Sequence, residues 1–131
     1  MIGLDTNVLV RYLAQDDAEQ SARATALIEQ RLTVEDPGYI SIVALVEMVW
    51  VLDRAYRMGG TEIAAVVERL LQADTLVVES AQEVFLAMLT LRDGRGGFAD
   101  ALIALLGTST GCLHTVTFDR KALRIPGFSA L

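Results

Sequence analysis

The apolar tetrapeptide Met1-Ile2-Gly3-Leu4 runs without a spacer into Asp5-Thr6-Asn7. A short strand thus ends on a carboxylate that also opens a helical stretch. The step recurs. Leu113–Thr117 reads as a strand leading to Asp119, and Tyr39–Ser41 leads into the stretch that carries Glu47. Asp100 falls in the first turn of a helix after the glycine-rich Asp93–Gly97. Strands alternating with helices imply a parallel sheet joined by right-handed crossovers. In such sheets the functional crevice lies at the carboxyl ends of the strands. Asp5, Glu47, Asp100 and Asp119 are therefore expected to reach one edge of one sheet.

The remaining elements follow from periodicity and punctuation. Thr6–Ala14 and Asp17–Leu32 read as helices, the second with Ala24, Leu27, Ile28 and Leu32 at helical spacing. Asp36-Pro37-Gly38 is a turn. Ile42–Tyr56 reads as a core helix, apolar nearly all round. Gly59-Gly60 stops it, and Thr61 caps Glu62–Gln72. Thr75–Val78 is a strand. Ser80 caps a helix to about Leu91, with Glu83 in the capping-box position. Phe98–Thr108 is a helix closed by the Ser109–Gly111 turn, and Asp119–Leu123 is a brief helix before the turn at Pro126-Gly127.

At 131 residues the chain suits a single domain, residues 1–131. Hydrophobic residues make up 53% and mean hydropathy is +0.42, the composition of strands covered on both faces. The most apolar stretch, Ile40–Leu52, contains Ser41 and Glu47 and is shorter than the roughly 20 residues of a spanning helix. The N-terminus carries no basic region or signal-like core, so a cytoplasmic protein is expected. One cysteine, Cys112, excludes an internal disulfide and reads as a buried reduced thiol. His114 reads as a packing or hydrogen-bonding residue.

The net charge of −6 argues against a polyanionic partner, but its distribution does not. Residues 1–91 hold 6 basic and 14 acidic side chains. Residues 92–124 hold 5 basic (Arg92, Arg95, Arg120, Lys121, Arg124) against 3 acidic (Asp93, Asp100, Asp119). Any cation held by Asp100 and Asp119 makes that part more positive still.

Carboxylates are rarely placed among apolar residues without a partner. Asp5, Asp100 and Asp119 each also suit a helix start. Glu47 does not. Its neighbours run Val43-Ala44-Leu45-Val46 and Met48-Val49-Trp50-Val51, with no lysine or arginine four residues away. Four acids collected in one crevice repel unless a cation neutralises them. Mg²⁺ takes oxygen ligands, and Mn²⁺ accepts the same set. Thr6, Asn7 and Thr117 flank the acids and suit hydrogen bonds that orient ligating carboxylates.

The residues Leu4-Asp5-Thr6-Asn7, Ser41 with Leu45-Val46-Glu47, Phe98-Ala99-Asp100-Ala101-Leu102-Ile103-Ala104 and Thr117-Phe118-Asp119-Arg120 resemble PIN-domain nucleases. More closely, the chain is similar to VapC-type toxins of bacterial toxin–antitoxin pairs. The resemblance spans essentially the whole chain. It implies a PIN-like three-layer α/β/α sandwich around a parallel sheet of four to five strands. It implies Mg²⁺- or Mn²⁺-dependent endoribonuclease activity, with Asp5, Glu47, Asp100 and Asp119 as catalytic acids and metal ligands. Asp5 and Asp100 would be the principal ligands and Asp119 the most variable. It also implies a homodimer and a cognate VapB-type antitoxin that lays an apolar segment in a groove of the early helices. Val8, Leu9, Tyr12, Leu13, Ala24, Leu27 and Trp50 are candidates for that groove. Many relatives carry a further aspartate three residues before the position of Asp100, where this chain has Gly97.

The expected reaction is hydrolysis of an RNA phosphodiester, with Arg95, Arg120 and Arg124 on the flanking phosphates. Two other α/β enzymes fit less well. A haloacid-dehalogenase-type phosphatase needs a second aspartate two residues after the first, where Asn7 stands. A receiver domain needs a lysine after its last strand, and the single lysine, Lys121, is misplaced. A non-catalytic PIN module that binds RNA or a protein partner is the alternative reading.

Overall fold

The computed structural model describes residues 1–131. The chain separates into two compact units, one comprising Met1–Met58 with Arg69–Glu79, the other Gly59–Glu68 with Ser80–Leu131. No helix is long and apolar enough to cross a membrane.

The first unit carries strands β1 (Ile2–Gly3), β2 (Gly38–Ile40) and β3 (Leu76–Val78), and helices α1 (Thr6–Ala14), α2 (Ala18–Ala26) and α3 (Ile42–Arg54). The strands form a parallel sheet in the order β1-β2-β3, with Ile2 opposite Gly38 and Gly38 opposite Leu76. Gly38 lets three leucine side chains close over the sheet, and any larger residue would make them shift. A Cβ there would lie 2.8 Å from Leu32 Cδ1 and 3.0 Å from Leu4 Cδ1 and Leu76 Cδ2. Leu4, Leu9, Ile40, Leu45, Met48 and Leu52 are buried, and α1 packs on both α2 and α3. Each helix start is capped by a side chain. Asp17 Oδ1 accepts from Gln20 N, Ser41 Oγ from Ala44 N, and Asp5 Oδ1 from Thr6 N.

The second unit carries α5 (Ala81–Arg92), α6 (Phe98–Thr110), β4 (Thr115–Thr117) and β5 (Phe128–Ala130). The helix α4 (Gly60–Gln72) begins in this unit and ends in the first. Helix α5 packs on α6, and α6 on β4. Val84, Met88, Phe98, Leu102 and Ile125 are buried. Gly96 sits against Ile125, whose Cδ1 would lie 2.6 Å from an added Cβ. Gly111, at φ 108°, closes α6 in the left-handed conformation that glycine adopts without steric cost.

The α/β alternation and the parallel pairing are as the sequence predicts; the sheet is divided. Three strands form one sheet, and β4 pairs with β5 as a second parallel sheet. Gly127, at φ 102°, turns the chain so that Phe128-Ser129-Ala130 runs beside β4, and Gly127 O accepts from Thr115 N at 2.7 Å. Strand β5 lies beyond the last element expected from the sequence, the turn at Pro126-Gly127.

Other differences are local. The helix expected over Asp17–Leu32 ends at Ala26 and widens into a π-helical turn, Leu27–Arg31, where Leu32 N bonds to Leu27 O. Helix α4 starts at Gly60, so Thr61 is inside it and not its cap. Ser80 adopts φ 50° and makes no side-chain capping bond, so the capping box with Glu83 does not form. The brief helix expected over Asp119–Leu123 is a 3-10 turn at Ala122–Arg124. Helix α3 is not buried all round: Val43 is 77% and Trp50 59% exposed.

Candidate active site

Strand β1 delivers Asp5 directly to the start of α1. Leu4 is buried, and its N–H bonds to Tyr39 O at 2.9 Å, which fixes the strand end. Asp5 is exposed, with Oδ1 accepting from Thr6 N at 2.8 Å. Thr6 is buried and reaches across to α3, where its hydroxyl donates to Glu47 Oε1 at 2.5 Å. Thr6 thus ties the Asp5 turn to Glu47.

Helix geometry explains why a glutamate among apolar residues faces solvent. Helix α3 buries Ala44, Leu45, Met48, Val49 and Leu52. Val43, Glu47 and Trp50, spaced four and three apart, form an exposed stripe on another face. Asp5, Thr6, Asn7, Glu47 and Trp50 line one cavity of about 400 Å³, whose remaining wall includes Arg11 and Tyr56.

Arg11 and Tyr56 belong to a polar network at this wall. Arg11 Nη1 donates to Asp16 Oδ1 at 3.0 Å and to Tyr56 Oη at 3.2 Å, and Arg11 Nε donates to Gln20 Oε1 at 2.9 Å. Tyr56 Oη donates to Asp16 Oδ2. The hydrogen bond from Tyr56 holds the Asp16 carboxyl below the usual carboxylate range, with help from Arg11. The same bond, seen from the phenol, raises Tyr56, and the hydrogen bond to Tyr56 together with Asp16 raises Arg11.

The second unit offers another pair of acids. Asp100 is half-buried in the first turn of α6, and Asp119 is exposed after β4. Asp119 is shaped by its own turn. Its N–H donates to Thr117 Oγ1 at 3.0 Å, and its Oδ1 accepts from Lys121 N at 2.9 Å. Asp100 and Asp119 line a cavity of about 300 Å³ with Arg95, Lys121 and Arg124, floored by Gly94, Gly96 and Gly97.

Several expectations change. The four acids do not sit in dry settings: Asp5, Glu47 and Asp119 are exposed. Their apolar neighbours in sequence point to other faces. Within neither unit do three or more carboxylate, imidazole or thiol groups gather as a metal cluster. Each unit brings one pair together, Asp5 with Glu47 in the first and Asp100 with Asp119 in the second. The Thr6 hydroxyl donates to Glu47 and not to the Asp5 carboxylate that it flanks in sequence. Thr117 holds the backbone of Asp119 rather than its carboxylate. Asn7 lines the Asp5 cavity. Arg95 and Arg124 line the Asp100 cavity, whereas Arg120 does not. Cys112 and His114 are exposed rather than buried or packed, because they precede β4 in the connection from α6.

The predicted groove residues divide. Val8, Ala24 and Leu27 line a cavity of about 440 Å³ between α1 and α2, with Arg11 and Arg23. Leu9 is fully buried, and Trp50 belongs to the cavity with Asp5 and Glu47.

Arg11 and Tyr56 are not among the residues expected at the site, and Lys121, counted with the basic residues of 92–124, joins Arg95 and Arg124 there. Arg11 stands four residues after Asn7, on the same face of α1, a spacing that could have found it. Tyr56 lies beyond the end of α3 and gave no such signal.

The donor set suits a hard divalent cation. All four acids offer carboxylate oxygens, the ligands of Mg²⁺ and Mn²⁺. Six ion pairs form in the protein, and none engages Asp5, Glu47, Asp100 or Asp119.

No curated protein matches the chain. The sequence profile of the PIN domain matches residues 2–127. With strands, helices and acids in this order, the chain belongs to the PIN domain family, generally a nuclease fold.

Proposed function

We propose that this protein is a divalent-metal-dependent endoribonuclease and the toxin component of a VapBC-type toxin–antitoxin pair. The observation that carries the reading is the Asp5–Thr6–Glu47 constellation, two carboxylates on one cavity with one of them oriented by a buried hydroxyl. Family membership supports nuclease chemistry, and the carry-over of the sequence motifs supports the toxin assignment.

Asp5, Glu47, Asp100 and Asp119 are the proposed catalytic acids and metal ligands. The chemistry that Mg²⁺ or Mn²⁺ supplies when bound is Lewis acidity toward water and toward a phosphoryl oxygen. The chain's own residues do the rest. Thr6 fixes the Glu47 carboxylate, so that no reorganisation is needed during the reaction. Thr117 holds the turn that presents Asp119. Asn7 supplies a polar side chain at the mouth of α1. Arg95 and Arg124, joined by Lys121, offset the charge of the RNA phosphates beside Asp100, with Arg120 as a further exposed cation.

The α1–α2 groove with Val8, Ala24 and Leu27 is the proposed seat of an apolar antitoxin segment. A homodimer and a cytoplasmic location complete the reading. The test is incubation of the purified protein with structured RNA and Mg²⁺ or Mn²⁺. Cleavage that EDTA abolishes and that is lost in Asp5→Asn supports it. RNA bound but left intact under every metal condition favours the non-catalytic PIN module instead.

A further inference from the structure

We infer that the cavity between Asp5 and Tyr56 is a nucleotide subsite in which Trp50 stacks on an unpaired base of the RNA and Arg11 contacts the adjoining phosphate. The inference rests on the ribonuclease reading above and names how that site grips its substrate.

Trp50 is 59% exposed, an unusual setting for the largest apolar side chain, and it lines the cavity that holds Asp5 and Glu47. Single-stranded nucleic acid is held by such aromatic faces together with cations that follow the backbone. Both components are present. Arg54 stands over the Trp50 ring at 6.0 Å from its centroid, placing positive charge beside the stacking surface. Arg11 lines the same cavity, and its guanidinium is held in place through Nε and Nη1 by Gln20, Asp16 and Tyr56. None of these bonds uses Nη2, which leaves a pre-positioned donor for a phosphate oxygen.

The spacing suits a nucleotide. Glu47 and Trp50 are three residues apart on α3, about 4.5 Å along the helix axis. A phosphate at the acid end therefore puts its own or the next base within reach of the indole. The cavity, at about 400 Å³, falls in the size range of small-molecule pockets. Charge complementarity favours RNA as the occupant: Arg11 lines the cavity and Arg54 adjoins the Trp50 ring, so cations accompany the aromatic face.

Trp50 is the only tryptophan of the chain, so its fluorescence reports on this cavity alone. The experiment titrates a short fluorescein-labelled single-stranded RNA into the intact protein with Ca²⁺ replacing Mg²⁺. Anisotropy of the label measures binding, and indole emission is read in parallel with an unlabelled strand. The expected result is saturable quenching with the same midpoint as the anisotropy. An abasic ribose-phosphate strand should bind more weakly and quench little. Trp50→Ala should raise KM for cleavage by about tenfold with kcat nearly unchanged, and Trp50→Phe should recover most of the loss. Arg11→Ala should weaken intact and abasic strands alike. Binding by anisotropy without quenching, or equal quenching by the abasic strand, would overturn the subsite while leaving the nuclease reading intact. Absence of any RNA binding would overturn both.

Discussion

The two acid pairs of this protein are built by different means. Asp5 and Glu47 are set by regular structure: a strand end, a helix start and a helix face, tied by the Thr6 hydroxyl. Asp100 and Asp119 stand around a glycine loop and a short turn, among Arg95, Lys121 and Arg124. The first pair is framed by packing, and its neighbouring cation, Arg11, is already engaged by Asp16. The second pair is framed by backbone turns, and two of its neighbouring cations, Lys121 and Arg124, take part in no ion pair. Under the function proposed above, the first pair would fix where a metal ion sits, and the second, ringed by cations, would take up more of the charge of the RNA.

The largest effect should come from removing one charge of each pair. Asp5→Asn and Asp100→Asn, which preserve shape, should each reduce metal-dependent cleavage by more than the 10–100-fold typical of groups that merely orient a ligand. If the pairs serve one reaction, the double variant should be little worse than either single one, because groups that act as a unit are not additive. A multiplicative loss in single-turnover rates would break that unity.

Next in size is a contrast in packing. Leu45→Ala, in the buried face of α3, should cost about 2–5 kcal/mol. Gly96→Ala, forcing a Cβ onto Ile125, should cost about 1–3 kcal/mol. Thermal unfolding checks both. The sharper readout is Mn²⁺ affinity, which Gly96→Ala should disturb more per unit of stability lost, because the loop itself carries Arg95 and leads to Asp100.

Smaller still is the contrast between the two threonines. Thr6→Val removes the only side-chain donor to Glu47 and should reduce metal affinity by about 10–100-fold. Thr117→Val loses a bond to a backbone N–H and should cost about 1 kcal/mol of stability with little change in affinity. Equal effects on Mn²⁺ titrations would erase the distinction between a packed frame and a turn-built one.

The smallest effect concerns pH. The folded protein depresses the Asp16 carboxyl through Tyr56 and Arg11. Its contribution is present above the ordinary carboxylate range and is lost as pH falls through the depressed folded value. Tyr56 is raised, so its contribution is present below the ordinary phenol range and is lost as pH rises through the raised value. Both groups are near the surface, so the shifts in urea midpoint should be slight. They should vanish in Asp16→Asn, and their persistence there would assign the acid sensitivity to another carboxylate, Asp36 first, which the N-terminal amine and Arg31 hold low.

Much of the architecture was legible because apolar periodicity and caps are local. Helix α1 has the bounds expected from Thr6 to Ala14, and α3 starts at Ile42 as expected, although Ser41, expected to end the strand, is its cap. The exposure of Glu47 was not legible, since a run of apolar neighbours does not say which of them face the same way until the helix packs. Ser80 misled for a related reason: its residue type suits a cap, but its backbone is left-handed at φ 50°. Strand β5 was missed because pairing with β4 is a non-local property of three residues with little signal of their own.

The order of strands, helices and acids, and with it family membership, was determined by the sequence, because each rests on residue type and spacing along the chain. Tertiary structure decided which acids share a cavity, that Thr6 serves Glu47, and that Arg11 and Trp50 join Asp5. Those outcomes depend on how helix faces pack, and side-chain direction is settled only when distant segments compete for the same space.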